Sequence, residues 1–285
     1  SDAYLSLDGE NVVMLVEKKE CARRPLHLLE AIVIFSHVGV SPALLGKCAE
    51  LGIIITFLSP YGKFLSRSVG KINGNVLVRR KQYRFADDTE KSLQISRNII
   101  AAKLVNSVEV LRRVLSDHKV RIDCRKVENV MSDIKSAITK AYSAESAASL
   151  RGLEGECASR YFSVFGELIL QDKEFFSFNR RTRRPPMDAV NAMLSFGYSL
   201  LTTTCNSALE AAGLDPYVGF FHTERPGRCS LALDILEEFR APISKGVSEE
   251  IYKGDEVLLY AFGSMVKTAE EVRNNEGKSV VDVMR

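Results

Sequence analysis

The chain changes its apolar spacing within residues 89–115, which read TEKSLQISRNIIAAKLVNSVEVLRRVL. At 100° per residue, one narrow stripe of a helix collects the aliphatic side chains of Leu93, Ile100, Leu104, Val108, Leu111 and Leu115. Spacings of three, four and seven continue from there to Phe239. The second part of the chain is therefore predicted to be helical, and the lack of a constant repeat period excludes a solenoid.

The N-terminal part follows a different pattern, with short β-branched runs between turn residues. Two such runs flank the turn Asp8-Gly9-Glu10-Asn11, which is typical of a hairpin. Further strands are predicted at residues 32–35, 53–58 and 64–69. The change of pattern indicates an α+β chain with a small β-rich, β-sandwich-like N-terminal domain and a larger all-α C-terminal domain.

One short helix is expected among these strands. Ser41 is a good N-cap, Pro42 suits the first helical position, and Gly52 follows the predicted end. The expected domain bounds are residues 1–70 for the β-rich domain, 71–88 for a basic linker and 89–285 for the helical domain.

Composition narrows the class of protein. The 39 Lys+Arg residues exceed the 36 Asp+Glu residues by only three, and 46% of residues are apolar, which excludes a histone-like polycation and overall disorder. The six cysteines form no C-x-x-C pair and are read as reduced thiols. No apolar run reaches the roughly 18 residues of a membrane span, and no signal peptide is visible, so we expect a cytoplasmic protein.

Acidic residues occur on predicted apolar helix faces. Glu154 shares a face with apolar neighbours, and the simplest interpretation is a salt bridge to an arginine. Asp234 and Glu237 are three residues apart and need a cation between them. Arg240 is the ordinary candidate, and a divalent metal shared with His222 and Glu154 is the alternative. His222 itself could equally be a satisfied core histidine.

Basic residues are grouped although the net charge is small. Clustered arginines supply the phosphate contacts that dominate nucleic-acid affinity, and the alternative is a solvated surface loop. The candidate DNA-binding residues are Arg79, Arg80, Lys81, Arg84, Arg180, Arg181, Arg183, Arg184, Arg225 and Arg228.

Four segments, residues 151–155, 191–201, 211–222 and 230–240, resemble in order and spacing the CRISPR-associated integrases of spacer acquisition, the first of the CRISPR-associated protein families. Residues 4–11 and 56–58 are similar to members that accompany type I systems, whereas the tail from residue 252 does not match. The resemblance implies a β-rich domain that builds a homodimer interface and a helical domain that holds one catalytic metal site.

The same resemblance assigns roles to residues. Glu154, His222 and Glu237 match the family's metal ligands, and Asp234 matches a further acidic catalytic position. The implied cofactor is Mg²⁺ or Mn²⁺, which suits oxygen ligands with one imidazole. The implied reaction inserts short double-stranded DNA at a repeat array by attack of a 3′-hydroxyl, with a second small CRISPR-associated protein as a bridging dimer.

Two other functions stay open from the sequence. One is a non-catalytic DNA-binding scaffold, in which Glu154, Asp234 and Glu237 only neutralise arginines such as Arg228 and Arg240. The other is a structure-selective endonuclease that acts on branched DNA in repair and uses the same metal site without a partner.

Overall fold

The computed structural model describes residues 3–29, 31–35, 38–59, 64–68, 70, 76–170, 176–183 and 185–253. The N-terminal strands are β1 Ala3–Asp8, β2 Asn11–Val16, β3 Lys19–Pro25, β4 Ala31–Ile34, β5 Gly39–Val40, β6 Ile54–Leu58 and β7 Phe64–Ser68. They form a four-stranded sheet in the order β3-β2-β1-β5 and a three-stranded sheet in the order β4-β6-β7. The hairpin prediction is confirmed, since β1 and β2 pair antiparallel up to Asp8 opposite Asn11.

A short helix, α1 Pro42–Leu51, follows β5 and has the ends that the sequence predicts. The Ser41 hydroxyl accepts a hydrogen bond from the Leu44 backbone N–H at 3.2 Å. Gly52 ends the helix with a φ of 73°, in the left-handed region that glycine adopts without a Cβ clash. The helix buries Leu44 and Cys48 in one apolar cluster with residues of β4 and β6, so α1 closes the N-terminal core.

The rest of the described chain is helical. Its helices are α2 Val76–Asp87, α3 Thr89–Asp117, α4 Cys124–Tyr142, α5 Ala147–Ser163, α6 Phe165–Leu168, α7 Ala189–Ala211 and α8 Ser230–Lys253. The long helix α3 packs against α4, α5 and α8, and α8 also packs against α7. One large apolar cluster runs through these helices and includes Ile100, Leu104 and Leu111 of the predicted stripe. This architecture confirms the α+β fold class.

The segment predicted as a basic linker holds helix α2. Its residue Gln82 is buried and donates hydrogen bonds to the carbonyl oxygens of Asp215 (2.7 Å) and Val218 (2.8 Å). Its side-chain oxygen accepts from the Asp215 backbone N–H at 2.8 Å. Helix α2 is therefore docked on the loop that leads to His222.

Strand β7 also contacts the helical part. Arg67 donates to the carboxylate of Glu210 at 2.6 Å and to the hydroxyl of Ser207 at 2.9 Å, both on α7. The domain bounds at residues 70 and 88 stay a prediction, but the first helix of the second part begins at Val76 rather than after 88. No helix in the described ranges is long and apolar enough to cross a membrane.

Candidate active site

Asp234, on the first turns of α8, fastens the loop that carries His222. Its side chain is fully buried. Oδ2 accepts hydrogen bonds from the backbone N–H groups of Phe220 (2.6 Å) and Phe221 (3.0 Å), and Oδ1 accepts from that of His222 (2.9 Å). Four donors converge on this one carboxylate when the His222 ring, 2.7 Å away through Nδ1, is included. Asp234 thus positions the histidine.

The approach of this loop to α8 depends on Gly219. A Cβ at that position would lie 2.8 Å from the Ser230 carbonyl carbon and 2.9 Å from Oδ2 of Asp234. Both distances are below any normal carbon contact, so only glycine lets the loop pass this close to the start of α8.

The contact with Asp234 also determines the tautomer of the neutral His222 ring. A carboxylate oxygen only accepts, so Nδ1 carries the proton in the neutral ring and Nε2 keeps its lone pair. Nε2 lies 3.7 Å from Oε1 of Glu237. This carboxylate–histidine pairing is the arrangement that orients histidine ligands in metal sites.

Lys103 of α3 links the other two predicted ligands. Its ammonium donates to Oε1 of Glu154 on α5 and, at 2.6 Å, to Oε2 of Glu237 on α8. Lys103 and Glu237 are only 6% and 3% exposed, so the pair is shielded from water. Two of the three predicted ligands therefore contact one lysine, and His222 lies beside one of them, Glu237. The partner of Glu154 is a lysine rather than the arginine of the simplest sequence interpretation.

Glu237 is held in its charged form. Burial alone would raise its pKa, but the charges of Lys103 and Arg240 and the hydrogen bond from Lys103 outweigh burial and lower the pKa below 4.5. Arg240 lies 2.9 Å from Oε2 of Glu237 through Nε, so the predicted neighbour is present as well.

The donor set fits a hard divalent cation. Two carboxylates and one imidazole nitrogen suit Mg²⁺ or Mn²⁺ better than a structural zinc site. Within the described ranges, no three His, Cys, Asp or Glu side chains stand together at metal-binding geometry. In this arrangement the Lys103 ammonium is the cation that both carboxylates contact.

A basic cleft of about 540 Å³ adjoins Glu154. Glu154 contributes to its wall together with Arg180, Arg181 and Arg183. Arg181 is anchored on α7, because its guanidinium donates to Oδ1 of Asn191 at 2.8 Å and to the hydroxyl of Ser195 at 3.0 Å. The sequence-predicted arginine cluster is thus brought beside a predicted metal ligand, and Arg184 lies outside the described residues.

A small cavity of about 30 Å³ lies on the other side of Glu154 and is lined by Lys103, Tyr198, Arg183 and Arg240. Tyr198 sits between two guanidiniums, with Arg240 5.2 Å and Arg181 5.6 Å from its ring centroid. Its buried hydroxyl has no hydrogen-bond partner in the described part of the chain. Burial raises the pKa of this tyrosine.

The remaining basic candidates lie elsewhere. Arg79 is partly buried on α2 and donates to the Gly213 carbonyl at 3.1 Å, so it is a docking contact. The described residues that line the cleft include none of Arg79, Arg80, Lys81, Arg84, Arg225 and Arg228.

Sequence reasoning missed Lys103, and a signal for it exists. Lys103 is four residues after Ile99 and adjacent to Leu104, on the apolar side of the predicted α3. A charged group on such a face needs a buried partner of opposite charge. The same test that singled out Glu154 would therefore have found its partner.

Comparison with known proteins agrees with this fold. The family described as CRISPR associated protein Cas1 matches residues 1–253, and the chain belongs to it. A CRISPR-associated endonuclease Cas1 of Chlorobaculum tepidum is 46% identical over 257 residues, which cover 90% of this chain and 72% of that protein.

Two solved structures share the fold. A Cas1 protein from Thermotoga maritima superposes with a TM-score of 0.69 and 26% identity, covering 88% of this chain and 77% of that one. A casposase bound to integration product superposes with a TM-score of 0.70 and 25% identity, covering 89% and 71%. The chain is accordingly similar both to nucleases of the CRISPR system and to an integrase.

Proposed function

We propose that the protein is a metal-dependent DNA integrase and endonuclease of CRISPR adaptation, which inserts short DNA fragments at a repeat array. The observation that supports the proposal is that Glu154 and Glu237 share one buried cation and His222 lies 3.7 Å from Glu237, beside a cleft with three arginines. Membership of the Cas1 family supports the same conclusion.

Mg²⁺ or Mn²⁺ would be held by Glu154, Glu237 and Nε2 of His222. When bound, the ion supplies Lewis-acid polarisation of a phosphodiester and favours a deprotonated 3′-hydroxyl. Asp234 keeps the His222 ring in one orientation and holds the neutral ring in one tautomer. Arg240, next to Glu237, would stabilise the negative charge that develops on phosphorus.

The proposed reaction is a transesterification. The 3′-oxygen of the incoming strand forms a bond to phosphorus, and the bond from phosphorus to the departing 3′-oxygen of the target breaks. One phosphodiester replaces another, so the step needs no external energy source. Arg180, Arg181 and Arg183 of the cleft would hold strand phosphates near Glu154.

Integration of a labelled short duplex into a supercoiled plasmid, with and without Mn²⁺ or Mg²⁺, tests this function. We expect E154Q and H222A to lose strand transfer and to retain duplex binding. Glu156 lies on the same helix, is exposed and pairs with Arg160, so E156Q is the matched control and should stay active. Strand transfer that is unchanged in both E154Q and H222A would exclude the metal site.

The same assay separates two other functions. The Lys103 contacts with Glu154 and Glu237 also fit a structural ion pair, which favours a non-catalytic DNA-binding scaffold as the second candidate. A scaffold would bind duplex DNA and give no strand transfer with either metal. A repair endonuclease would cut branched DNA and give no integration product.

We also propose a cytoplasmic homodimer that acts on double-stranded DNA with a second small CRISPR-associated protein as a bridging dimer. The family resemblance supports a dimer interface on the β-rich part. Sedimentation of the chain alone should give the mass of two copies, and sedimentation with the partner should give a larger complex that contains two such dimers.

A further inference from the structure

Lys103 connects three helices through a single ammonium group. The group is buried, and its hydrogen bonds run to Oε1 of Glu154 on α5 and Oε2 of Glu237 on α8. A buried lysine with two carboxylate partners is strongly held, because an ammonium in a nearly water-free position needs partners of opposite charge.

The ammonium contacts the two carboxylates that a divalent ion at the proposed site would have to bind. Two of the three proposed metal ligands contact it, and the third, Nε2 of His222, is 3.7 Å from the free oxygen of Glu237. Lys103 and Arg240 balance the charges of Glu154 and Glu237. A divalent ion added beside an unmoved Lys103 would place like charges within a few ångström in a buried site.

The geometry points to Lys103 as a built-in counter-ion that occupies the metal position and is displaced when a divalent cation binds. The inference rests on the metal site of the proposed function. The small cavity beside Lys103 offers a place for the displaced ammonium, since the buried Tyr198 hydroxyl there has no partner in the described ranges and can accept its hydrogen bond. The metal therefore competes with an internal cation, and this competition sets its affinity.

Calorimetric titration with Mn²⁺ alone tests the inference. We expect K103M, which keeps the length of the side chain and removes its charge, to bind Mn²⁺ at least tenfold more tightly than the unaltered chain. Lys91 pairs with Asp88 on the exposed start of α3, so K91M removes a lysine from the same helix without touching the site and should leave the affinity unchanged. Mn²⁺ affinity in K103M equal to or weaker than that of the unaltered chain would overturn the role of Lys103.

The two proposals fail in different ways. If H222A abolishes Mn²⁺ binding and K103M binds like the unaltered chain, the metal site stands and the displacement of Lys103 is wrong. If neither the unaltered chain nor K103M binds Mn²⁺, both proposals fall.

A second variant covers the case in which K103M does not fold. The Tyr198 hydroxyl makes no hydrogen bond in the described ranges, so Y198F should fold normally while it removes the group that would accept the displaced ammonium. We expect Y198F to bind Mn²⁺ several-fold more weakly than the unaltered chain, whereas Y142F, at an exposed tyrosine on α4, should leave the affinity unchanged. An unchanged Mn²⁺ affinity in Y198F would overturn the displacement of Lys103 into this cavity.

Discussion

Replacing Asp234 by asparagine should destabilise the protein far more than the loss of one charge suggests. Four donors point at this carboxylate, two at each oxygen: the N–H groups of Phe220 and Phe221 at Oδ2, and the N–H and Nδ1 of His222 at Oδ1. Asparagine has one oxygen, so its amide NH₂ must face either the two backbone N–H groups at Oδ2 or the backbone N–H and ring nitrogen of His222. The ring nitrogen can accept from the NH₂ by changing tautomer, so one or two buried hydrogen bonds to a charged acceptor are lost, at about 1.5–3 kcal/mol each.

The expected loss for D234N is therefore about 1.5–6 kcal/mol in the free energy of unfolding, measured by urea denaturation followed by circular dichroism. Strand transfer should fall as well, because His222 loses the group that fixes its ring. Asp215 offers a matched control. Its half-buried side chain accepts from the Tyr83 hydroxyl and the Tyr217 backbone N–H, so D215N should cost about 1 kcal/mol or less. A cost for D234N as small as that of D215N would show that the buried carboxylate does not fasten the loop.

Three further outcomes follow. The pKa of Glu237 is lowered in the folded chain, so the stability that its charge contributes is present above the unfolded pKa near 4.5 and is lost as pH falls through the folded pKa. The free energy of unfolding should therefore decline on acidification below about pH 4.5, and E237Q should show a smaller decline over the same pH range. Gly219→Ala should cost about 1–3 kcal/mol in urea unfolding because its Cβ meets Ser230, whereas Gly155→Ala, with nothing within 4 Å of its Cβ, should be neutral or stabilising. Arg183→Ala should weaken binding to all duplexes equally and flatten the salt dependence by about 0.9 units, and an altered base preference would contradict a phosphate contact.

Local patterns in the sequence predict much of the fold. The Ser41 cap, the glycine at the end of α1, the first hairpin and the stripe of α3 all depend on residues within a few positions of one another. Strand β3 was missed because six of its seven residues are exposed, so it has no apolar alternation.

Long-range contacts explain what the sequence did not predict. Helix α2 buries Gln82 against carbonyl groups more than 130 residues away, and such hydrogen bonds leave no local periodicity. In the candidate site, helix faces gave a metal shared by Glu154, His222 and Glu237 as one alternative, and family resemblance then assigned the three as ligands; neither indicated Lys103. Spacing along each helix indicates which face is buried, but only the packing of α3, α5 and α8 determines which charges meet.

The segment that leads to His222 is held at two places, by Gln82 of α2 and by Asp234 of α8. Gln82 grips the backbone of Asp215 and Val218 through three hydrogen bonds, just ahead of the turn that Asp234 secures from the other side. A truncated chain that began at α3 would keep every proposed ligand but would lose the three hydrogen bonds from Gln82. The position of His222 is therefore set jointly by α8 and by α2, the helix that follows the N-terminal strands in the chain.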